Sequence, residues 1–212
     1  MNSGSDVIHE YCEQHTSPQS ELLTEIERAT HLKTTQPRML SGHLQGRFLS
    51  MISKMQRPKS ILEIGTFTGY ASLCMAEGLA PDGALHTLEV NEELEPMIQN
   101  FWAQSPYRDQ LHLHITDAKT FIEKESGPWD LVFMDAAKKE YPLYFDLLQD
   151  KVPSGGLIIA DNVLWSGKVT DPNAKDASTE ALRVYAQIVQ DHPDWENVMV
   201  PLRDGLLMAR KR

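Results

Sequence analysis

Two short segments, Met134-Asp135-Ala136-Ala137-Lys138 and Ile159-Ala160-Asp161-Asn162, place polar groups directly after apolar runs. Asp135, Asp161 and Asn162 offer hard oxygen donors. Two carboxylates with an amide oxygen suit Mg²⁺, or the similar Mn²⁺ or Ca²⁺, and leave positions for water or substrate oxygens. Zinc is disfavoured, because no His or Cys accompanies them. Lys138 follows Asp135 closely; beside a divalent cation and partly desolvated, a lysine gives up its proton more easily and can act as a general base. Lys139 is the less favoured alternative. Taken singly, each feature has a plainer explanation: Asp135 capping a helix, Asp161-Asn162 making a turn, Lys138 a solvated charge in a Lys-Lys-Glu run. Two strand ends that finish the same way point instead to a shared site.

A second group reads as a nucleoside pocket. Glu63-Ile64-Gly65-Thr66-Phe67-Thr68-Gly69 lies where a first strand passes into a helix, and its glycines let a ligand approach the backbone. The spacing G-x-x-x-G does not meet the dinucleotide fingerprint, and the Glu63 carboxylate is awkward beside a pyrophosphate, so a nicotinamide-dependent reductase is opposed. Glu89 ends a second strand about 20 residues beyond the glycine turn, where a carboxylate accepts from ribose hydroxyls. Asp117, after a third strand, is placed to accept from an adenine amino group. Each acid alone is more often a helix cap or surface charge; their recurrence at successive strand ends is the signal. S-adenosylmethionine, with adenine, ribose and a cationic sulfonium but no phosphate, satisfies the set.

The elements that must hold these groups follow from periodicity. Short apolar runs at Ser60–Ile64, Ala84–Glu89, Leu111–Ile115, Asp130–Met134 and Gly156–Ala160 alternate with amphipathic stretches at Tyr70–Leu79, Glu92–Gln104, Ala118–Glu125, Tyr141–Lys151 and Thr179–Asp191, the pattern of βα units feeding a parallel sheet. Asn197–Leu202 and Gly205–Arg210 are separated by too few residues for a crossover helix, so an antiparallel hairpin is expected at the sheet edge. Before the first strand the chain reads as helical. Leu22, Leu23, Ile26 and Ala29 or Thr30 follow a Ser17-Pro18 start, and His43–Gln56 carries Leu44, Phe48, Met51, Ile52 and Met55 as its expected apolar side, ended by Pro58. A single domain over residues 1–212 is expected, with residues 1–57 as a helical lid or docking segment and 58–212 as the core.

Composition narrows the partners. The 212 residues carry 20 Lys and Arg against 30 Asp and Glu, a formal charge of -10, which repels a phosphate backbone and makes nucleic acid a poor partner. With 41% hydrophobic residues the chain can build a core, so wholesale disorder is excluded. Cys12 and Cys74 have neither metal-ligand spacing nor the density of a secreted disulfide framework, and read as free thiols of a reducing cytosol. The polar stretch Met1–Cys12 lacks the pattern of a secretory signal, and no apolar run reaches the ~20 residues of a membrane span. A cytoplasmic location follows as the expectation.

From about Met39 onward the chain resembles the cation-dependent class I O-methyltransferases, the group of catechol and caffeoyl-CoA O-methyltransferases, and most closely its small bacterial members. The resemblance rests on Ile61-Leu62-Glu63-Ile64-Gly65-Thr66-Phe67-Thr68-Gly69-Tyr70, Phe133-Met134-Asp135-Ala136-Ala137-Lys138 and Asp161-Asn162-Val163-Leu164-Trp165-Ser166-Gly167. It implies a Rossmann-like, doubly wound α/β fold with a mostly parallel seven-stranded sheet, an antiparallel last strand and N-terminal helices, in a homodimer. It further implies that Glu63, Gly65, Ser72, Glu89, Asp117, Ala118 and Asp135 contact S-adenosylmethionine, with Met39 and Ser41 closing over its methionine end. Asp135, Asp161 and Asn162 would hold the cation, Lys138 would be the catalytic lysine beside Asp135, and Trp165 would wall the acceptor pocket unless it is ordinary loop packing. The expected reaction is methyl transfer to one hydroxyl of a vicinal aromatic diol, of catechol or hydroxycinnamoyl type. The alternative is a noncatalytic nucleoside-binding or scaffold protein on the same fold. The acidic residue that anchors the free hydroxyl in small-catechol enzymes has no counterpart identified here, so the resemblance leaves the acceptor open.

Overall fold

The computed structural model describes residues 4–212; Met1–Ser3, part of the stretch read above for a secretory signal, lie outside the described residues. Strands β1 (Ser60–Ile64), β2 (Ala84–Glu89), β3 (Leu111–Ile115), β4 (Leu131–Met134), β5 (Leu157–Asp161), β6 (Trp195–Val200) and β7 (Leu206–Lys211) form a seven-stranded sheet ordered β3-β2-β1-β4-β5-β7-β6. β1 to β5 pair in parallel. β7 lies between β5 and β6 and is antiparallel to both, so the expected hairpin forms, with β6 rather than the last strand at the edge. β1, β4 and β5 are buried almost throughout, as a parallel sheet covered on both faces requires, whereas in edge strands β3 and β6 only the first residue is buried.

Helices α1 (Gly4–Gln14), α2 (Glu21–Lys33), α3 (Gly42–Gln56), α4 (Tyr70–Ala76), α5 (Glu95–Trp102), α6 (Ala118–Lys124), α7 (Tyr141–Leu148) and α8 (Ala177–Asp191) cover the sheet. Strand parity divides the core. Leu62, Ile64, Val132, Met134, Ile158 and Ala160 meet α6, α7 and α8 on one face, while Ile61, Leu131, Phe133 and Ile159 meet α2 to α5 on the other. The parity has a consequence at the strand tips. Glu63 and Asp161 belong to the second set and are directed toward the face of α3 and α4.

Local signals explain most boundaries. Ser20, Asp117 and Asp176 cap α2, α6 and α8 by accepting from Leu23 N, Thr120 N and Thr179 N. Arg57, left-handed at φ 51, ends α3 before Pro58. The stretch expected as one helix over Glu92–Gln104 begins with a 3-10 turn at Glu92–Leu94, and α4 stops at Ala76 rather than Leu79.

The buried face of α3 is not the expected one. Gln45, Gly46, Leu49, Ser50 and Ser53 are buried, while Met51 and Met55 are 58% and 68% exposed. Close packing on α4 is the reason. A Cβ added to Gly46 would lie 2.7 Å from Tyr70 Cε1, and the Ser53 hydroxyl donates to the Met75 carbonyl at 2.6 Å. Small side chains at Gly46, Ser50 and Ser53 let the helices come this close; Leu49 is buried, Phe48 and Ile52 pack on the core from its margin, and Met51 and Met55 are turned out.

Candidate active site

The sheet order reverses between β1 and β4, and a crevice beyond the carboxyl ends of strands at such a point is where open α/β sheets bind ligands. Register does the rest. Ile64 pairs with both Leu88 and Met134, which sets Gly65 between Glu89 and Asp135; Met134 pairs with Ala160, which sets Asp135 beside Asp161. Asp117, Glu89, Gly65, Asp135 and Asp161 therefore stand in a row along one edge of the sheet. A cleft of about 1590 Å³ opens over them, larger than the roughly 300–1,000 Å³ of an ordinary small-molecule site and roomy enough for a donor and an acceptor together.

At the β1–β2 end, Glu89 Oε2 accepts from Phe67 N at 2.8 Å, and Oε1 accepts from Val90 N and Asn91 N at 2.9 Å each. Three backbone donors fix the carboxylate and leave lone-pair capacity for a further donor. Gly65 has φ +99, and a Cβ there would lie 2.1 Å from the Asp135 carbonyl oxygen, so only glycine permits the floor between β1 and β4. Asp117 caps α6 through Oδ1 and also lines the cleft.

At the β4–β5 end, Lys138 is 7% exposed and is not the solvated charge its neighbours suggest. Its Nζ donates to Asp135 Oδ1 at 2.8 Å and to the Tyr141 hydroxyl at 2.9 Å. Tyr141 in turn lies within hydrogen-bond distance of the Met134 carbonyl at 2.9 Å and the Asp161 carbonyl at 3.0 Å. Burial, then the charges of Asp135 and Asp161, push the Tyr141 phenol well above its usual range, so it stays neutral. Asp161, 2% exposed, accepts from Gln45 Nε2 at 2.6 Å and from Asn162 N at 2.7 Å. Burial, then the neighbouring Asp135 charge, pushes its pKa up to about 6, against the pull of Gln45 and Lys138. Two carboxylates crowded in this way gain from a cation. Among the described residues no group of three His, Cys, Asp or Glu side chains is placed to hold a metal; the oxygen set here is two carboxylates and the Asn162 amide, and its chemistry fits a hard ion.

The profile of a family described as O-methyltransferase matches residues 13–212. The chain belongs to that family.

Caffeoyl-CoA O-methyltransferase of Medicago sativa is 31% identical over 226 residues, covering 98% of this chain and 89% of the relative. Catechol O-methyltransferase of Niastella koreensis is 31% identical over 174 residues, covering 78% and 79%. Among solved structures, the O-methyltransferase TomG of Streptomyces achromogenes, in complex with SAM, superposes with a TM-score of 0.91 at 25% identity, covering 100% of this chain and 99% of that one. An O-methyltransferase of Bacillus cereus in complex with SAH gives 0.90 at 25% identity, covering 97% of each. The protein is a class I, S-adenosylmethionine-dependent O-methyltransferase with a Rossmann-like fold.

In this O-methyltransferase the cleft is lined by Met39, Gly65, Glu89, Asp117, Ala118, Asp135, Lys138, Asp161, Asn162 and Trp165, so ten of the expected site residues come together. Ser41 lines a smaller adjoining cleft with Met39, Gly65 and Asp135. Glu63 and Ser72 line neither. The Ser72 hydroxyl donates to Glu63 Oε2, both are fully buried, and Glu63 Oε1 has no partner. Burial, opposed by the Ser72 and Thr87 hydroxyls, pushes the Glu63 carboxyl up to about 8, so it is mostly protonated at neutral pH. Trp165 both walls the cleft and packs on the core, in a loop with left-handed Trp165 and Ser166.

Three contributors escaped the sequence reading. Tyr141 carried a signal, standing one helical turn after Lys138. Gln45 carried a weaker one, a polar residue a turn before Leu49. Arg203, which donates to the Ser41 carbonyl and, at 3.4 Å, to the Arg38 carbonyl, ties the β6–β7 turn to the segment bearing Met39 and Ser41, and nothing local announces it.

Proposed function

We propose that the enzyme methylates one hydroxyl of a vicinal aromatic diol, of catechol or hydroxycinnamoyl type, in a cation-dependent reaction. The observation that carries the reading is that the Met134–Ala160 pairing of β4 and β5 sets Asp135 beside Asp161, with buried Lys138 bonded to Asp135 in the cleft. The names of the Medicago and Niastella relatives support the acceptor class.

Asp135, Asp161 and the Asn162 side chain would hold the ion, Mg²⁺ or the similar Mn²⁺ or Ca²⁺. When bound, such an ion supplies Lewis acidity that lowers the pKa of a phenolic hydroxyl from about 10. Lys138 Nζ would accept the hydroxyl proton and carry it as the ammonium. The phenolate oxygen bonds to the methyl carbon as the carbon–sulfur bond breaks, and the sulfonium leaves as the neutral thioether. Opposite charges disappear along this path, so the protein contributes mainly alignment. Glu89 holds the ribose, Asp117 and Ala118 the adenine, and Gly65, Met39 and Ser41 the methionine end, with Glu63 and Ser72 supporting it from beneath. Trp165 walls the acceptor side.

Residues 1–57 act in this reading as a lid and docking segment of the single domain. The apolar side chains that α1 and α3 leave outside, Val7, Ile8, Tyr11, Met51 and Met55, support a homodimer. The free thiols Cys12 and Cys74 support a cytoplasmic setting. Among the described residues no helix is long and apolar enough to cross a membrane.

The test is mass spectrometry of catechol-bearing acceptors incubated with S-adenosylmethionine, with and without Mg²⁺. A gain of one methyl only with the cation is expected. Equal methylation in excess chelator would reject cation dependence, and no methylation of any diol would reject the acceptor class.

A further inference from the structure

The side chain that closes the rear of the proposed cation site comes from far away in sequence. Gln45 lies on α3, is fully buried, and gives Nε2 to Asp161 Oδ2 at 2.6 Å. Asp161 Oδ1 is held from the other side by Asn162 N at 2.7 Å. The carboxylate is thus gripped at both oxygens, once by its own loop and once by the N-terminal segment. Gln45 Oε1 has no partner. An amide turned the other way would set that oxygen against a carboxylate oxygen, so the donating orientation is the one the chemistry selects.

The residue type matters as much as the contact. An Arg or Lys here would neutralise Asp161 and compete with a metal ion for its charge. An amide orients the carboxylate and adds no charge, so the negative charge of Asp135 and Asp161 remains available. The cost is a buried carbonyl oxygen left without a hydrogen bond.

We propose that Gln45 is a positioning residue that holds Asp161 in its ligating orientation, so that α3 sets the affinity of the cation site without touching the ion. The assignment rests on the proposed cation dependence. It differs from a packing role in what it predicts: removing the amide should weaken ion binding while leaving the fold and the donor end intact.

The experiment uses the full chain and Mn²⁺ alone, with free Mn²⁺ counted by electron paramagnetic resonance. Gln45→Met keeps the length and flexibility of the side chain and removes the donor. Its Mn²⁺ dissociation constant should rise about 10–100-fold, the usual effect of losing a group that orients a ligand, while S-adenosylhomocysteine affinity by calorimetry stays within about twofold. Gln45→Asn, which keeps the amide but is one methylene too short, should show the same split and serves if the methionine variant does not fold. Wild-type protein that binds Mn²⁺ through Asp161, with both variants binding it as tightly, would overturn the role of Gln45 and leave the cation reading standing. Equal losses of Mn²⁺ and S-adenosylhomocysteine affinity, with a lowered melting temperature, would also overturn it in favour of packing. Wild-type protein that binds no Mn²⁺ would overturn the cation reading itself.

Discussion

Glu63 and Asp161 are both buried acids near the carboxyl edge of the sheet, both directed toward α3 and α4, yet they are built for opposite states. Glu63 is met by the hydroxyl of Ser72, keeps one oxygen unpaired and sits below the floor of the cleft, so burial dominates and the proton stays on. Asp161 reaches the cleft, is gripped by an amide and a backbone N–H, and shares its neighbourhood with the Lys138 ammonium and the Asp135 carboxylate. The difference shows that burial alone does not make an acid functional. One residue beyond its strand's interior, and given a charged neighbourhood, the same group becomes a candidate ligand.

The contrast is sharpest in turnover. Asp161→Asn should lower kcat by about 100-fold or more while S-adenosylhomocysteine binding, followed by calorimetry, changes little. Equal turnover at saturating acceptor would erase the distinction. Lys138→Met should follow, with kcat down about 100-fold and the rising limb of its pH–rate profile lost; a wild-type profile in that variant would remove Lys138 as the base.

Smaller effects belong to the β1–β2 end. Glu89→Gln should weaken S-adenosylhomocysteine about tenfold, the scale of a charge-assisted hydrogen bond, and leave Mn²⁺ binding unchanged. Loss of Mn²⁺ binding instead would mean that the two ends of the cleft are not separable.

Glu63→Gln should have the least effect on turnover at pH 7, because glutamine resembles the neutral acid already present. Its signature is in stability. The folded carboxyl titrates at about 8 against roughly 4.3 when unfolded, so the folded state holds an extra proton between those values. Glu63 therefore contributes its full stabilisation below about pH 4 and loses it as pH rises toward 8, at up to about 1.4 kcal/mol per pH unit. Urea unfolding from pH 5 to 8 should give a flatter dependence in the variant; an unchanged slope would mean that Glu63 is ionised in the fold.

Much of this was legible in the residues themselves. The strands that bear Asp135, Asp161, Glu89 and Gly65 are short apolar runs closed by polar groups, and their order of appearance, with helices between, calls for a parallel sheet whose tips share one edge. A local pattern determines where a strand ends and what stands at its tip, because the two-residue period and the apolar run are properties of neighbouring residues.

What lies between elements could not be read that way. The large apolar residues of α3 promised a buried side that includes Met51 and Met55, but the approach of α4 put Gly46, Ser50 and Ser53 at the contact, and Gln45 is carried inward with them beside Leu49. Lys138 reads as a partly desolvated base from its place after Asp135, although its charged neighbours alone suggest a solvated side chain; the packing around Tyr141 is what buries it. Residue types and their periods determined the sheet, its tips and the chemistry available there. Helix rotation, and with it which acid is protonated and which is held as an oriented anion, was decided by tertiary contact, because close packing and desolvation depend on groups brought together from distant parts of the chain.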